Sequence, residues 1–220
     1  MNITRKEIVG MFPGVIRPQI NRALVRNPWI EENHKLKLII IHVPRTGGSS
    51  LYKEVFGHLV GHPYLEDYTS YDRRSAKHYL KVAVVRNPWD RLVSAYYEIQ
   101  GSQQSYLQKF WKPLQIDSID QFFEALSKEK GRKGIQKIVH FRSQQELISD
   151  RFTNMDIVGR FENLDLFMRD FNCAFGSSYI LPHLNASKKS DYREYYDTRR
   201  INLVREIYAK DIDKFEYEFE

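Results

Sequence analysis

The chain has 220 residues, 42% hydrophobic and 14% aromatic, enough to bury a substantial core in one domain, which excludes a disordered chain. Its 34 Lys and Arg against 28 Asp and Glu leave a formal net charge of +6, favouring a phosphate-bearing or polyanionic partner without choosing among nucleotide, nucleic acid, glycan and membrane surface. A single cysteine, Cys173, excludes an intrachain disulfide framework, and no apolar run approaches the ~20 residues of a membrane span, so the expected location is cytoplasmic.

Residues 1–35 hold two short apolar stretches separated by Pro13, Gly14 and Pro18. They read as a helical or extended N-terminal arm, with packing on the domain and a peripheral membrane contact both open, and residues 36–220 read as the main domain. Leu36 to Val43 is a short apolar run, the signature of a buried strand, and it stops at Pro44, which cannot donate to a sheet ladder. Arg45, Thr46, Gly47, Gly48, Ser49 and Ser50 follow; then Leu51, Val55, Phe56 and Leu59 recur at helical spacing. Strand, glycine turn and helix start in this order make an anion site. The leading N–H groups of the helix lack partners, the dipole is positive there, and Gly47 and Gly48 let the main chain approach a phosphate. Thr46, Ser49 and Ser50 add hydroxyl donors and Arg45 a fixed charge. Residues 61–78 mix aromatic, polar and basic groups without a sustained period, a pattern that suits a cleft wall containing a short strand.

Leu80 to Val85 is a second buried strand and runs straight into Arg86. Trp89, Leu92, Val93, Tyr96 and Tyr97 then form the apolar stripe of a helix, with Pro88 in its first turn. Gly101 to Ser105 reads as a mobile loop, and Ser118 with Gln121 has the spacing of a capping box ahead of Phe122, Phe123 and Leu126. The basic run Lys128 to Lys137 reads as solvated. Met155 to Phe161 is a third strand, followed by a helix from Glu162 to about Phe171. Residues 176–189 read as loop, and Arg199 to Phe215 as one closing helix. Strands alternating with helices predict an α/β fold: a central, mainly parallel sheet flanked by helices on both faces, with ligand beyond the C-terminal strand ends.

A nucleoside triphosphate is the first candidate for the glycine loop, but no lysine follows the glycines, and Arg86 stands where an aspartate could hold magnesium. The two turns offer only positive charge and donors, which suits two phosphate groups on one ligand with no metal between them. 3′-Phosphoadenosine-5′-phosphosulfate (PAPS) has that form.

Here the chain resembles a known family. Val43-Pro44-Arg45-Thr46-Gly47-Gly48-Ser49-Ser50-Leu51 resembles the 5′-phosphosulfate loop of the carbohydrate sulfotransferases, and the run from Val85 to Tyr97 resembles their 3′-phosphate motif. Asp156 to Leu164 and His183-Leu184-Asn185-Ala186-Ser187 are similar to later segments of the branch that includes the heparan sulfate 2-O- and chondroitin 4-sulfotransferases. The resemblance spans roughly residues 36–215 and implies a three-layer P-loop-like fold. It implies that Arg45 and Thr46 to Ser50 hold the 5′-phosphosulfate, that Arg86 and Ser94 grip the 3′-phosphate, and that Asn185 and Ser187 close over the nucleotide. The family usually has lysine where this chain has Arg45; arginine keeps the charge but cannot act as a titratable acid.

Transfer to an alcohol needs a base, and a histidine suits the task. His62, in Gly61-His62-Pro63, resembles the Gly-His that carries the base in the 2-O-sulfotransferase branch, with His58 as its competitor. His42 and His140 read as structural or packed, and Asp90 and Arg91 as braces of the helix start. The acceptor is expected against Tyr64, Tyr68, Arg73, Arg74 and Lys77. The reading is therefore a PAPS-dependent, metal-independent enzyme acting on a carbohydrate or glycolipid hydroxyl. The alternatives are a P-loop nucleotide kinase and a non-catalytic polyanion-binding module. The aromatics form no base-stacking pattern, which argues against a nucleic-acid partner.

Overall fold

Side chains along a strand alternate between its two faces, and the first two strands of this chain use both faces to build separate cores. The computed structural model describes residues 26–181 and 191–220, together with Met11, Gln19, Ile20 and Ala23. Three strands, β1 (Leu38–Ile41), β2 (Leu80–Val85) and β3 (Ile157–Arg160), form one parallel sheet in the order β1-β2-β3. Leu38 pairs with Leu80, Val82 with Ile157 and Val85 with Arg160. Asp156 fixes that last register: its carboxylate accepts from Lys81 N at 2.7 Å and pairs with Lys81 Nζ at 2.8 Å.

From one face Ile39, Ile41, Ala83 and Val85 pack with Trp89, Leu92 and Tyr96 of the helix Pro88–Gly101, and with Phe122, Phe141, Leu147 and Val204. From the other, Leu38, Ile40, Val82 and Val84 pack with Leu51, Tyr52 and Val55 of the helix Gly48–Phe56 and with Phe167 and Phe171 of the helix Leu164–Phe175. Helices on both faces of a parallel sheet make the α/β layering the sequence predicts. Ahead of β1, the Asn33 side chain of the short helix Glu31–Leu36 donates to Leu38 O at 2.8 Å, and Trp29 Nε1 donates to Tyr68 O at 3.3 Å. Among the described residues no helix is long and apolar enough to cross a membrane.

Several boundaries differ from expectation for local reasons. Residues 61–78 hold two short helices, Leu65–Tyr71 and Arg73–His78, rather than a strand. Asp67 accepts from Tyr64 N at 2.8 Å and Asp72 from Ser75 N at 3.0 Å, so carboxylates start both helices. Only residues 102–104 separate the helix ending at Gly101 from the next, Ser105–Trp111. The basic run is itself helical over Glu129–Ile135 and buries Ile135. The closing helix breaks at Tyr208 into Thr198–Ile207 and Ala209–Phe215, where the buried Tyr208 hydroxyl donates to Phe141 O at 2.8 Å.

Candidate active site

The glycine loop leaves the C-terminal end of β1 and reverses tightly. Arg45 (φ 71°) and Gly47 (φ 81°) are both left-handed, and Ser50 N donates back to Gly47 O at 3.0 Å as the helix Gly48–Phe56 begins. Gly48 is needed for space: a Cβ there would lie 2.3 Å from His42 Cδ2. Gly48 and Ser49 head the helix, where main-chain N–H groups have no carbonyl one turn back. Thr46 departs from expectation. It is 1% exposed and its hydroxyl donates to Val43 O at 2.9 Å, so that proton braces the loop, leaving the main chain as what Thr46 can offer an anion. Ser49 is exposed and Ser50 half-buried; Ser49 Oγ lies 3.4 Å from His42 Nε2.

The second turn leaves β2, and other elements fix its backbone. Gln144 is fully buried, and its amide accepts from Arg86 N at 2.9 Å and donates to Arg86 O at 2.8 Å, replacing a neighbouring strand where the sheet has run out. Asp211 holds Gln144 in turn, accepting from Gln144 N at 2.8 Å, Gln145 N at 2.9 Å and Ser143 Oγ at 2.5 Å. Glu162 accepts from Asn87 N at 2.7 Å and from the Tyr217 hydroxyl at 3.0 Å. The Arg86 guanidinium lies over the Phe161 ring, 4.1 Å from its centroid, and pairs with Asp90 at 2.6 Å.

The two turns meet. Arg86 Nη1 donates to Arg45 O at 2.9 Å and to Ser94 Oγ at 3.4 Å, while Arg45 Nε donates to the same Ser94 Oγ at 3.1 Å. Ser94 is 3% exposed, two turns into the helix Pro88–Gly101. Arg45 also pairs with Glu98 at 2.8 Å, so its side chain turns from its own loop toward the second one. Burial and the nearby Arg86 lower the proton affinity of Arg45, but a guanidinium stays charged at neutral pH. Arg91 is a buried brace rather than part of the pocket floor. It donates to His140 O at 3.1 Å, to Arg142 O and to Pro44 O at 3.5 Å, linking the glycine loop to the Val139–Phe141 turn.

His62 stands beside the loop. Its Nδ1 is 3.0 Å from the carbonyl of His42, the residue before Val43 and Pro44. A carbonyl only accepts, so Nδ1 carries the proton and Nε2 keeps the free lone pair, the tautomer a base requires. Burial lowers its pKa below the usual imidazole range. His58 is exposed, with Nδ1 2.9 Å from Phe56 O. His140, which showed no functional context in the sequence, has its ring centroid 5.3 Å from that of His62. Only the fold brings it there, from 78 positions along the chain.

The residues expected against an acceptor differ in exposure. Tyr64 is half-buried and its hydroxyl accepts from Arg142 Nη1 at 2.8 Å. Arg73 and Arg74 are exposed, with Arg73 over the Phe152 ring at 3.6 Å. Tyr68 does not fit the expectation: it is 1% exposed and packs edge-on against Trp29 at 5.1 Å, which leaves no ring face for a sugar. Lys133 and Lys137, read as merely solvated, line a cleft of about 1200 Å³ with Arg142, Glu146, Lys210 and Lys214. Asn185, Ser187 and His183 lie outside the described residues. Among the described residues no group of three or more His, Cys, Asp or Glu could hold a metal ion.

Over residues 29–218 the chain matches the model of a family described as the sulfotransferase family. No curated protein and no solved structure matches it.

Proposed function

The chain belongs to the sulfotransferase family, and on that premise we propose that it moves a sulfuryl group from PAPS to a hydroxyl of a carbohydrate or glycolipid. The observation that carries this reading is the joining of the two turns at Ser94, whose hydroxyl takes a hydrogen bond from both Arg45 and Arg86. One nucleotide with a phosphate at each end of its ribose can then touch both turns. PAPS supplies the sulfuryl group, and adenosine 3′,5′-bisphosphate is what remains of it.

In this proposal Arg86 and Ser94 hold the 3′-phosphate. The leading amides of the helix Gly48–Phe56, Ser49 and Ser50 stabilise negative charge at the 5′-phosphosulfate, and the Arg45 guanidinium, held between the two turns by Ser94 and Glu98, adds its charge from there. His62 Nε2 takes the proton of the acceptor hydroxyl as its oxygen bonds to sulfur and the bond from sulfur to the 5′-phosphate oxygen breaks, while Nδ1–H goes on donating to the His42 carbonyl. Arg45 supports developing charge electrostatically and gives up no proton. The lone Cys173 fits a reducing compartment, so the acceptor we propose is an intracellular saccharide or saccharide-bearing lipid.

Calorimetry with adenosine 3′,5′-bisphosphate on two variants tests the assignments. Arg86→Ala is expected to weaken binding at least tenfold. His62→Ala is expected to bind nearly as the wild type does while sulfuryl transfer to a saccharide panel, followed by mass spectrometry, stops. Loss of nucleotide binding in His62→Ala would reject that residue as the base.

A further inference from the structure

His62 lies between two other imidazoles. Its ring centroid is 4.3 Å from that of His42, on the chain leaving β1, and 5.3 Å from that of His140, in the Val139–Phe141 turn. Both neighbours are 7% exposed, and Nδ1 of His140 has no hydrogen-bond partner among the described residues. Arg45, from the glycine loop, acts on both neighbours and Arg91, from the helix Pro88–Gly101, acts on His140, and both are positive. Burial itself disfavours a proton on His62, which lies between two rings that do not take up its charge. His42 also touches the loop itself, through Ser49 Oγ at 3.4 Å and through the space Gly48 leaves open.

We infer that His42 and His140 are positioning residues that bury His62 and keep it neutral in the free protein, and that an anionic donor on the Gly47–Ser50 loop raises the basicity of its Nε2 lone pair, so that donor affinity and proton affinity are linked. The inference rests on the proposed role of His62 as base. Its physics is that of any titrating group: like charge and burial disfavour the charged form, and an incoming opposite charge favours it. Burial and neighbouring His62 hold His42 and His140 at about 3, so neither ring competes for the proton at neutral pH. Above the loaded midpoint Nε2 stays free and takes the acceptor proton more readily with the donor in place; below that midpoint it is filled from solvent and transfer is lost. Because linkage is reciprocal, the bisphosphate product must bind more tightly as pH falls through the window between the free and loaded His62 midpoints.

The test is an NMR titration of imidazole C–H signals in the full chain, with and without adenosine 3′,5′-bisphosphate, using His62→Gln to assign the signal. The His62 midpoint should rise by at least one pH unit on binding, equivalent to a tenfold gain in affinity across the window. Calorimetry in buffers of different ionisation heat should show proton uptake that His62→Gln loses; this control also subtracts titration of the ligand's own phosphates. In His140→Asn, or His140→Gln should the first not fold, the free midpoint should move up toward the ordinary imidazole value. Equal His62 midpoints with and without bisphosphate would overturn the linkage, and an unmoved free midpoint in the His140 variants would overturn its positioning role. Absence of any bisphosphate binding by the wild type would instead sink the sulfotransferase reading, and this inference with it.

Discussion

A Cβ on residue 48 would lie 2.3 Å from a carbon of the His42 ring, so the second glycine of the loop is set by packing and not only by approach to a phosphate. Gly48→Ala should lower stability by about 1–3 kcal/mol, as overpacking does. Because the displaced ring rests on His62, it should also reduce kcat more than it raises KM for the donor. Urea unfolding and steady-state kinetics would check both, and an unchanged kcat would disconnect His42 from the base. One juxtaposition was legible in the chain: Arg86 and Ser94 stand eight positions apart, and a strand end with the second turn of a helix does bring them together. Hydroxyl count misled at Thr46, because spacing cannot say whether a hydroxyl points at a ligand or back at a carbonyl.

Arg86 owes its position to elements distant in sequence. The Gln144 amide closes both peptide groups of Arg86, and Asp211 on the helix Ala209–Phe215 holds Gln144. Gln144→Leu leaves a buried N–H and a buried C=O unsatisfied, a loss of about 1–3 kcal/mol for each. Unfolding midpoints should fall accordingly, and bisphosphate affinity of the folded fraction should fall with them. Gln144→Glu, which can still accept from Arg86 N, should recover part of the affinity; no recovery would mean the side chain only fills space. The strands were readable because Leu38 to Ile41 and Val82 to Val85 are apolar toward both faces. The helices Leu65–Tyr71 and Arg73–His78 were not, since seven and six residues are too few to show a helical period, and Asp67 and Asp72 set them through single hydrogen bonds. Gln144 left no local signal at all, because its partner stands 58 positions away.

Across the molecule as a whole, the buried imidazoles tie stability to pH. His42 and His140 titrate in the fold at about 3, chiefly through burial, against 6.5 for an ordinary imidazole. Their folded values are depressed, so below about pH 6.5 the unfolded chain binds more protons, and stability falls as pH falls from there toward 3. For two such groups the loss between pH 7.0 and pH 5.5 is about 2–3 kcal/mol. Urea unfolding at the two pH values measures it; a flat profile would mean that these rings are not held neutral. The sheet that carries both turns, and the two cores on its faces, bring the glycine loop, Arg86 and His62 to one end of the strands. The most direct measurement of what that end is for compares the affinity of the wild-type chain for adenosine 3′,5′-bisphosphate with that for adenosine 5′-monophosphate. If one nucleotide spans both turns, the bisphosphate binds at least tenfold tighter and Arg86→Ala removes the difference; equal affinities in the wild type would rule out that span.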